Sequence, residues 1–207
     1  MIVVQIPVGD LQANCYVVGC ETSRAGVIID PGDEADRILA VAAEHELKIE
    51  HILLTHAHFD HILACAEVVE ATQAPLALHR ADLPLLKAGG GAAGWGFPMP
   101  VYQEPDTWLE AGDTITFGQH TLAVLFTPGH APGHVSFYEA EAGVIFDGDV
   151  LFAGSIGRTD LPGGDTELLL DSIRQQLLPL PDETVVCSGH GPTTTIGRER
   201  ATNPFLV

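Results

Sequence analysis

The order of strand-like and helix-like segments predicts an α/β sandwich in which two mixed β-sheets pack face to face and helices cover the outer faces. Short apolar runs typical of strands fall into two blocks, the second beginning near Asp113. Segments with helical spacing occur in both halves of the chain. No low-complexity linker separates the halves, so we expect residues 1–207 to form a single domain.

The first half of the chain alternates strands with helices. We predict strands at Val3–Val8, Asn14–Val18, Gly26–Asp30, His51–Leu54 and Pro75–Leu78. Gly9-Asp10 and Pro31-Gly32 mark turns after the first and third of these strands. Helices are expected over Asp33–Leu47, Asp60–Ala71 and Arg80–Lys87, and one face of the first carries Ile38, Leu39, Ala42 and Leu47.

The second half is richer in strands. We predict strands at Thr114–Phe117, Thr121–Phe126, Val135–Glu139, Val144–Phe146 and Thr184–Cys187. Helices are expected over Thr166–Leu178 and Ile196–Ala201, and the inner stripe of the first carries Leu168, Leu169, Ile173 and Leu177. Between the halves, Gly89–Pro100 is rich in glycine and proline and contains aromatic residues. We interpret it as a mobile rim that closes over a site, with a plain surface connection as the alternative.

The amino-acid composition restricts which binding partners and cellular locations are expected. The chain carries 28 Asp and Glu against 9 Lys and Arg, a formal net charge of −19. Nucleic acids and anionic membranes need clustered basic residues, so neither is an expected partner. The N-terminus lacks the pattern of a signal peptide, and no apolar run is long enough to span a membrane. The four cysteines form no CxxC pair, which argues against a zinc ribbon or a thioredoxin-like motif. A chain of this size does not need a disulfide framework, so we expect all four to be reduced in a cytoplasmic protein.

The stretch His51–Ile62, HILLTHAHFDHI, carries the strongest chemical signal. Its apolar run ends at Thr55, and four potential metal ligands follow within six residues: His56, His58, Asp60 and His61. Imidazole and carboxylate are the ligands that zinc, iron and manganese prefer. A loop that follows a buried strand is also where α/β sheets place their sites. The cluster therefore predicts a metal site at the end of this strand.

Three further loops offer His or Asp beside glycine directly after a predicted strand. They are Thr127–His134, Asp147–Leu151 and Ser188–Pro192. Glycine lets the backbone approach a site closely. We therefore expect the remaining ligands in these loops.

These segments, in this order, resemble the metallo-β-lactamase superfamily over nearly the whole chain. The family motif H-x-H-x-D-H corresponds to His56–His61, and the family's later His, Asp and His correspond to His130, Asp149 and His190. The IIDPG segment at 28–32 matches as well. The resemblance implies an αββα sandwich with its site at the edges of the sheets.

Carried over by position, the resemblance implies two divalent metal ions, zinc above all, with iron or manganese as alternatives. One ion is held by His56, His58 and His130, the second by Asp60, His61 and His190, and Asp149 bridges them. Asp60 and Asp149, together with a metal-bound hydroxide, then form the catalytic group. Asp30 is expected behind the site as a hydrogen-bond partner of a ligand, with a purely structural role at the strand end as the alternative. His134 is expected to be structural.

Within the superfamily, the chain most resembles short bacterial thioester hydrolases similar to glyoxalase II. GSIGRTDLPGGD at 154–165, GHGPTTTIGRER at 189–200 and NPFL at 203–206 carry this resemblance. It implies attack on a small thioester such as S-lactoylglutathione. Class B β-lactamases, which usually depart from this ligand set, match less well. The diiron flavoproteins of this fold have Glu at the position of His58, so the chain does not match that branch of the superfamily.

Three departures weaken the assignment to glutathione. The chain ends at Val207, so we expect no C-terminal helical domain of the kind that binds glutathione, and Asp160 and Pro192 stand where tyrosines are expected. Arg158 is the candidate for gripping a substrate carboxylate, with pairing to Asp160 within its own loop as the alternative. Phe152 and Ile156 are expected to line the pocket.

Besides the thioester hydrolase, three hypotheses remain open: an oxidoreductase, another hydrolase and a binding module. Persulfide dioxygenases resemble this fold, share the GRTD segment and use a single iron at the positions of His56, His130 and Asp149. Lactone hydrolysis needs the same metal chemistry as thioester hydrolysis. The last is a binding module that the metal stabilises and that has no catalytic activity. The sequence does not specify the oligomeric state.

Overall fold

The strands form two six-stranded sheets, and the computed structural model describes residues 1–207. The first sheet contains β1 (Ile2–Val8), β2 (Ala13–Gly19), β3 (Ala25–Ile29), β4 (Lys48–Leu53), β5 (Leu76–His79) and β6 (Thr107–Leu109), in that order. β1 to β3 pair antiparallel, whereas β3 to β6 pair parallel through crossovers. This sheet is therefore mixed, as expected.

The second sheet is built from the second half of the chain. Its strands are β7 (Thr114–Phe117), β8 (His120–Phe126), β9 (Val135–Glu139), β10 (Val144–Gly148), β13 (Val185–Ser188) and β14 (Thr194–Thr195). Their order across the sheet is β14-β13-β10-β9-β8-β7. A separate short hairpin joins β11 (Leu151–Phe152) to β12 (Ser155–Ile156).

Helices lie on the outer face of each sheet. The first half contributes α1 (Ala35–Glu44), α2 (Cys65–Thr72), α3 (Leu83–Lys87) and the single turn α4 (Ala92–Trp95). The second half contributes α5 (Thr166–Ser172), which continues as a π-helical turn over Ile173–Leu177, and α6 (Ile196–Thr202). None of these helices combines the length and apolarity needed to cross a bilayer.

Apolar residues are buried in three layers because successive side chains of a strand point to opposite faces. In β2, Cys15 and Val17 pack under the helices of the first half, whereas Tyr16 and Val18 pack between the sheets. β10 and β13 follow the same rule: of two successive buried side chains, one faces the space between the sheets and the next faces α5 and α6. This helix–sheet–sheet–helix layering confirms the predicted αββα sandwich.

Most predicted elements are present, and the differences have local causes. Leu168, expected on the inner stripe of its helix, is 44% exposed. Leu169, Ile173 and Leu177 are buried as expected because they are spaced four residues apart, whereas Leu168 is rotated by about 100° from Leu169. Strands β6, β11, β12 and β14 were not predicted, since runs of two or three residues show no periodicity.

The two sheets are joined along one edge by backbone hydrogen bonds. The Val135 N–H donates to the Thr55 carbonyl at 2.8 Å, and the Asn14 N–H donates to the Gly189 carbonyl at 2.7 Å. Both bonds connect a loop of one sheet to a strand of the other. This edge holds the loops that carry the predicted metal ligands.

Candidate metal centre

Loops that follow four strands bring the seven predicted metal ligands together at this edge. After β4, His56 and His58 lie in an extended loop, and a short 3₁₀ turn presents Asp60 and His61. The loops after β8, β10 and β13 contribute His130, Asp149 and His190. The loop after β4 carries four of the seven, two in its extended part and two in the 3₁₀ turn.

The ligand atoms form two clusters. His56, His58 and His130 offer three nitrogens that lie within 4.8 Å of one another, and so do the ligand atoms of Asp60, His61 and His190. A third group, formed by Asp30, His56 and His61, meets the same distance limit and connects the two clusters. The two clusters contain the residues that the resemblance assigns to each ion, and metal binding by them stays a prediction.

Asp149 lies between the clusters. One carboxylate oxygen is 3.4 Å from His130 Nε2 in the first cluster and 3.7 Å from His190 Nε2 in the second. The other oxygen is 3.6 Å from His61 Nε2. A single carboxylate thus faces ligand atoms of both clusters.

Asp30 sets the tautomers of one histidine in each cluster. Its buried carboxylate accepts hydrogen bonds from the Thr55 N–H at 2.7 Å, the Thr55 hydroxyl at 2.6 Å and His61 Nδ1 at 3.0 Å. Because the Thr55 hydroxyl gives its hydrogen to Asp30, it accepts from His56 Nδ1 at 3.0 Å. In their neutral forms, His56 and His61 therefore keep a free electron pair on Nε2, the atom that faces the site. Asp30 stands where it was expected, behind the ligands.

A backbone carbonyl determines which nitrogen of His130 carries the hydrogen. Its Nδ1 donates to the Arg158 carbonyl at 2.7 Å, so the Nε2 of the neutral ring carries the free pair. That Nε2 lies 2.8 Å from His58 Nδ1. Two ring nitrogens this close share either a proton or a cation.

The charges around the clusters favour a cation. Burial, followed by the neighbouring His130, lowers the pKa of His58 to about 3, so its imidazole is neutral. Burial alone would also lower the pKa of His61. The neighbouring carboxylates, with Asp60 and Asp149 foremost, outweigh burial and raise the pKa of His61 to about 10. The carboxylates around His61 therefore favour a positively charged group there, either a proton on the ring or a metal cation.

Unpartnered buried atoms are the second sign that the residues fit metal ions. His56 Nε2, His61 Nε2 and Asp149 Oδ1 are buried without any hydrogen-bond partner. Buried polar atoms are nearly always paired, and leaving one unpaired costs about 1–3 kcal/mol. All three belong to predicted ligands and face the clusters. Imidazole nitrogens and carboxylate oxygens are the donor set of zinc and iron sites.

His134 and Asp82 hold the loops rather than face the clusters. His134 is buried, donates from Nδ1 to the Thr127 hydroxyl and accepts the Asp149 N–H at 3.1 Å, so its structural role agrees with expectation. Asp82 was missed by the sequence reasoning. Its buried carboxylate accepts the N–H of Ala57 at 3.0 Å and that of Gly133, which ties two ligand loops together. Because Asp82 directly precedes α3, its sequence position is that of an ordinary helix cap and gives no sign of this role.

The Gly89–Pro100 segment packs directly against the ligand loop. At Gly90, where φ is +64°, a Cβ atom would lie 2.3 Å from the Phe59 nitrogen. Phe97 packs on Phe59 with ring centroids 4.8 Å apart. This contact places the segment at the rim of the site, while its closure stays a prediction.

A cavity of about 890 Å³ opens over the clusters. His58, Asp60, His130, Asp149 and His190 line its floor. Phe152 and Ile156 line it as expected, as does Trp95 of the rim. The volume lies within the range of roughly 300–1,000 Å³ that small-molecule sites occupy.

Arg158 also lines the cavity, but its guanidinium is already paired. Its Nε and Nη2 donate to the two carboxylate oxygens of Asp160 at 2.7 and 2.8 Å. The guanidinium carbon lies 5.3 Å from the centre of the Trp95 ring. The alternative in which Arg158 fixes its own loop is thus the observed arrangement, and substrate binding by Arg158 stays a prediction.

We predict that the metal-free chain loses stability in acid. Burial lowers the pKa of His58 to about 3, and it lowers the pKa of His56 and His134 as well. An unfolded chain takes up protons near pH 6.5, whereas these buried rings resist protonation. Their stabilisation is therefore fully present above about pH 6.5 and is lost as the pH falls toward 3.

Denaturant unfolding of chelator-treated protein across this pH range measures the effect. His58→Gln should flatten the decline of unfolding free energy with falling pH. The matched control His45→Gln, at the end of α1, should keep it. A wild-type free energy that does not change with pH would contradict the prediction.

Comparison with known proteins agrees with this geometry. A family model described as the metallo-β-lactamase superfamily matches residues 8–190. The chain is 45% identical to the probable metallo-hydrolase YqgX of Bacillus subtilis, over 98% of this chain and 96% of that protein. It is 40% identical to the hydroxyacylglutathione hydrolase GloC of Haemophilus influenzae, over 97% and 96%.

Solved structures are similar as well. A crystal structure of TTHA1623 in a di-iron-bound form is 48% identical, with a TM-score of 0.89 over 98% of this chain and 100% of that one. The B3 metallo-β-lactamase BLEG-1 is 44% identical, with a TM-score of 0.94 over 100% of both chains. ETHE1 from Myxococcus xanthus is 32% identical, with a TM-score of 0.82 over 99% and 84%. The similarity to BLEG-1 weakens the expectation that class B β-lactamases match poorly.

Proposed function

The chain belongs to the metallo-β-lactamase superfamily, and from that premise we propose that it is a dinuclear metal-dependent hydrolase of small thioesters, such as S-lactoylglutathione or a related ester. The observation that carries the proposal is the pair of ligand clusters with one carboxylate between them. The similarity to GloC supports a thioester as the substrate. The proposed location is the cytoplasm.

The proposed ligands of one ion are His56, His58 and His130. Those of the other are Asp60, His61 and His190, with Asp149 shared. When bound, such ions lower the pKa of water and stabilise negative charge on oxygen. Zinc is our proposal for their identity, and the di-iron form of TTHA1623 supports iron as the alternative.

The side chains themselves position the reactants. Burial alone would raise the pKa of Asp60, but His61 and a hydrogen bond from His190 outweigh burial and lower it below the usual range. Asp60 is therefore ionised at neutral pH and, with Asp149, can accept hydrogen bonds from a water molecule on the cavity floor. In the reaction, water adds to the thioester carbonyl carbon and the C–S bond breaks, which gives a carboxylate, a thiol and one released proton.

A persulfide dioxygenase with one iron is the alternative function. The similarity to ETHE1 supports it to the same degree as GloC supports the hydrolase. It would use His56, His130 and Asp149, the pattern of two histidines and one carboxylate found in non-haem iron oxygenases. The two functions differ in the number of metal ions and in the need for oxygen.

We expect the purified protein to contain close to two metal ions per chain and to release thiol from S-lactoylglutathione. Elemental analysis measures the first, and a thiol-reactive dye measures the second. His58→Ala should reduce both, whereas His45→Ala, outside the site, should reduce neither. One iron per chain with oxygen uptake on glutathione persulfide would favour the dioxygenase. No turnover of thioesters, lactones or β-lactams with both sites filled would exclude the hydrolase.

A further inference from the structure

Two buried polar side chains near the C-terminus contact the β11–β12 hairpin, which forms part of the cavity wall. Glu199 lies in α6, Asn203 directly follows that helix, and both are fully buried. Phe152, Ser155 and Ile156 of the hairpin line the cavity. Glu199 and Asn203 belong to the segments that carry the resemblance to thioester hydrolases, yet neither belongs to the metal clusters.

The Glu199 carboxylate binds the tip of the hairpin, which comprises residues 152–155. Its Oε2 accepts hydrogen bonds from the Gly154 N–H at 2.8 Å and from Asn203 Nδ2 at 2.9 Å. Its Oε1 accepts a hydrogen bond from the Thr194 hydroxyl at 2.5 Å. Hydrogen bonds to a carboxylate are roughly twice as strong as those between neutral groups, so Glu199 is a strong anchor for the tip.

The Asn203 amide has a partner for each of its polar atoms. Its Nδ2 carries two hydrogens, of which one is donated to Glu199 and the other to the Ser155 carbonyl at 2.9 Å. Its Oδ1 accepts the Phe205 N–H at 3.0 Å. These bonds fix the orientation of the amide, so two successive residues of the tip, Gly154 and Ser155, are held by the C-terminal segment.

The base of the hairpin is held separately from its tip. The Leu151 N–H donates to the Asp147 carboxylate at 2.9 Å, and the Gly157 N–H donates to the Val150 carbonyl at 3.1 Å. The Leu151 side chain also packs in the apolar layer under α5 and α6. The paired strands have two residues each, and a lone two-stranded hairpin is only marginally stable. Loss of the C-terminal anchors would therefore release the tip and leave the base, next to Asp149, in place.

We infer that Glu199 and Asn203 are positioning residues for substrate binding, which hold the hairpin tip so that Phe152 and Ser155 form a fixed wall of the cavity. The inference rests on the proposed thioester hydrolysis. A tip that moves would present this wall for only part of the time, and the apparent affinity for substrate falls by that fraction. Because bound substrate itself fixes the tip, the KM should rise while kcat stays the same.

Glu199→Ala in the metal-loaded full-length protein tests the inference. We expect the KM for S-lactoylglutathione to rise by about tenfold, which corresponds to the loss of one hydrogen bond to a charged group. The kcat and the metal content should not change. Hydrogen exchange followed by mass spectrometry should become faster at residues 150–157, and this measurement needs no enzymatic activity.

Two further variants test the hydrogen bonds themselves. Glu199→Gln should keep the wild-type KM. Its amide oxygen can accept from Gly154 and Asn203, and its NH₂ group can donate to the Thr194 hydroxyl, which acts as donor or acceptor. Asn203→Ala leaves Glu199 in place and removes the bond to the Ser155 carbonyl, so the KM should rise by a smaller factor. This variant decides the matter if Glu199→Ala does not fold.

Glu139→Ala is the matched control. Glu139 is also a buried carboxylate, hydrogen-bonded to a histidine and to a backbone amide. It pairs with Val144, the first residue of β10, and therefore lies at the end of the sheet away from Asp149. We expect its removal to reduce the free energy of unfolding, as removal of Glu199 does. The KM and the hydrogen exchange at residues 150–157 should not change.

The inference is overturned if Glu199→Ala leaves either the KM or the exchange at residues 150–157 unchanged. It is also overturned if kcat or the metal content falls together with the affinity, since Glu199 would then act on the metal centre. An equal rise of the KM in Glu139→Ala would overturn it as well, because a general loss of stability would be responsible. Absence of turnover in the wild type would instead overturn the proposed function, and hydrogen exchange would still show whether Glu199 holds the tip.

Discussion

Gly189→Ala is expected to remove metal ions from both clusters and to lower activity by about 100-fold, the effect of displacing a reacting group by about 1 Å. A Cβ atom at this position would lie 2.2 Å from Asp149 Oδ1 and 2.9 Å from His61 Cε1. Asp149 faces both clusters, so the methyl group disturbs both at once. Gly189 does not need a left-handed backbone, which makes the effect purely one of space.

Metal content by elemental analysis and thiol release from the proposed thioester measure this effect. Far-UV circular dichroism should show the secondary structure of the wild type, because the added methyl group meets two side chains of the site and the Gly148 backbone, and not the core. Gly94→Ala is the matched control, since a Cβ atom there meets nothing within 4 Å. Full metal content in Gly189→Ala would contradict the position of Asp149 between the clusters.

The fold and the seven proposed ligands could be read from the sequence because each rests on a strong local pattern. Strands β7 and β9 have the predicted bounds, and the alternation of exposed and buried side chains in β7 follows from its apolar periodicity. The ligands follow strand ends, where chain order alone brings loops together at one edge of a sandwich. The pairing of ligands into two clusters came from the family resemblance, and the geometry agrees with it.

The residues that support the ligands were harder to predict because they act across long distances in sequence. Asp82 holds the Ala57 and Gly133 amides, 25 and 51 residues away. Gly90 fits against Phe59 from a segment that is otherwise read as a loop. Neither residue belongs to a motif, and a short-range pattern cannot reveal a contact that only the packed sandwich creates.

The state of Arg158 illustrates the same limit. The sequence offered two partners for its guanidinium, a substrate carboxylate and Asp160. The choice depends on the bend of the loop between β12 and α5, which brings the two side chains into a bidentate pair. The propensities of single residues do not determine that bend, so it is visible only in the folded structure.

Asp30→Asn is expected to weaken metal binding at both clusters by about 10–100-fold, the usual effect of removing a hydrogen-bond partner of a metal ligand. Asp30 has φ at +51°, a conformation that asparagine adopts readily, so the backbone is not strained. With an amide in place of the oxygen that faces Thr55 and His61, three donors would meet. The unfavourable contacts should also reduce the free energy of unfolding by about 1–3 kcal/mol.

The effect reaches both clusters because one oxygen controls two tautomers. Facing an NH₂ group, the Thr55 hydroxyl must turn and donate to His56 Nδ1, which moves the hydrogen of His56 to Nε2. His61 loses the acceptor of its Nδ1 hydrogen, so its proton also moves to Nε2. Both changes block the electron pair that a metal ion needs. Isothermal titration of chelated protein with Zn²⁺ measures the loss, and Asp36→Asn, an exposed change on α1, is the control. A loss confined to one cluster would show that Thr55 does not relay the influence of Asp30 to His56.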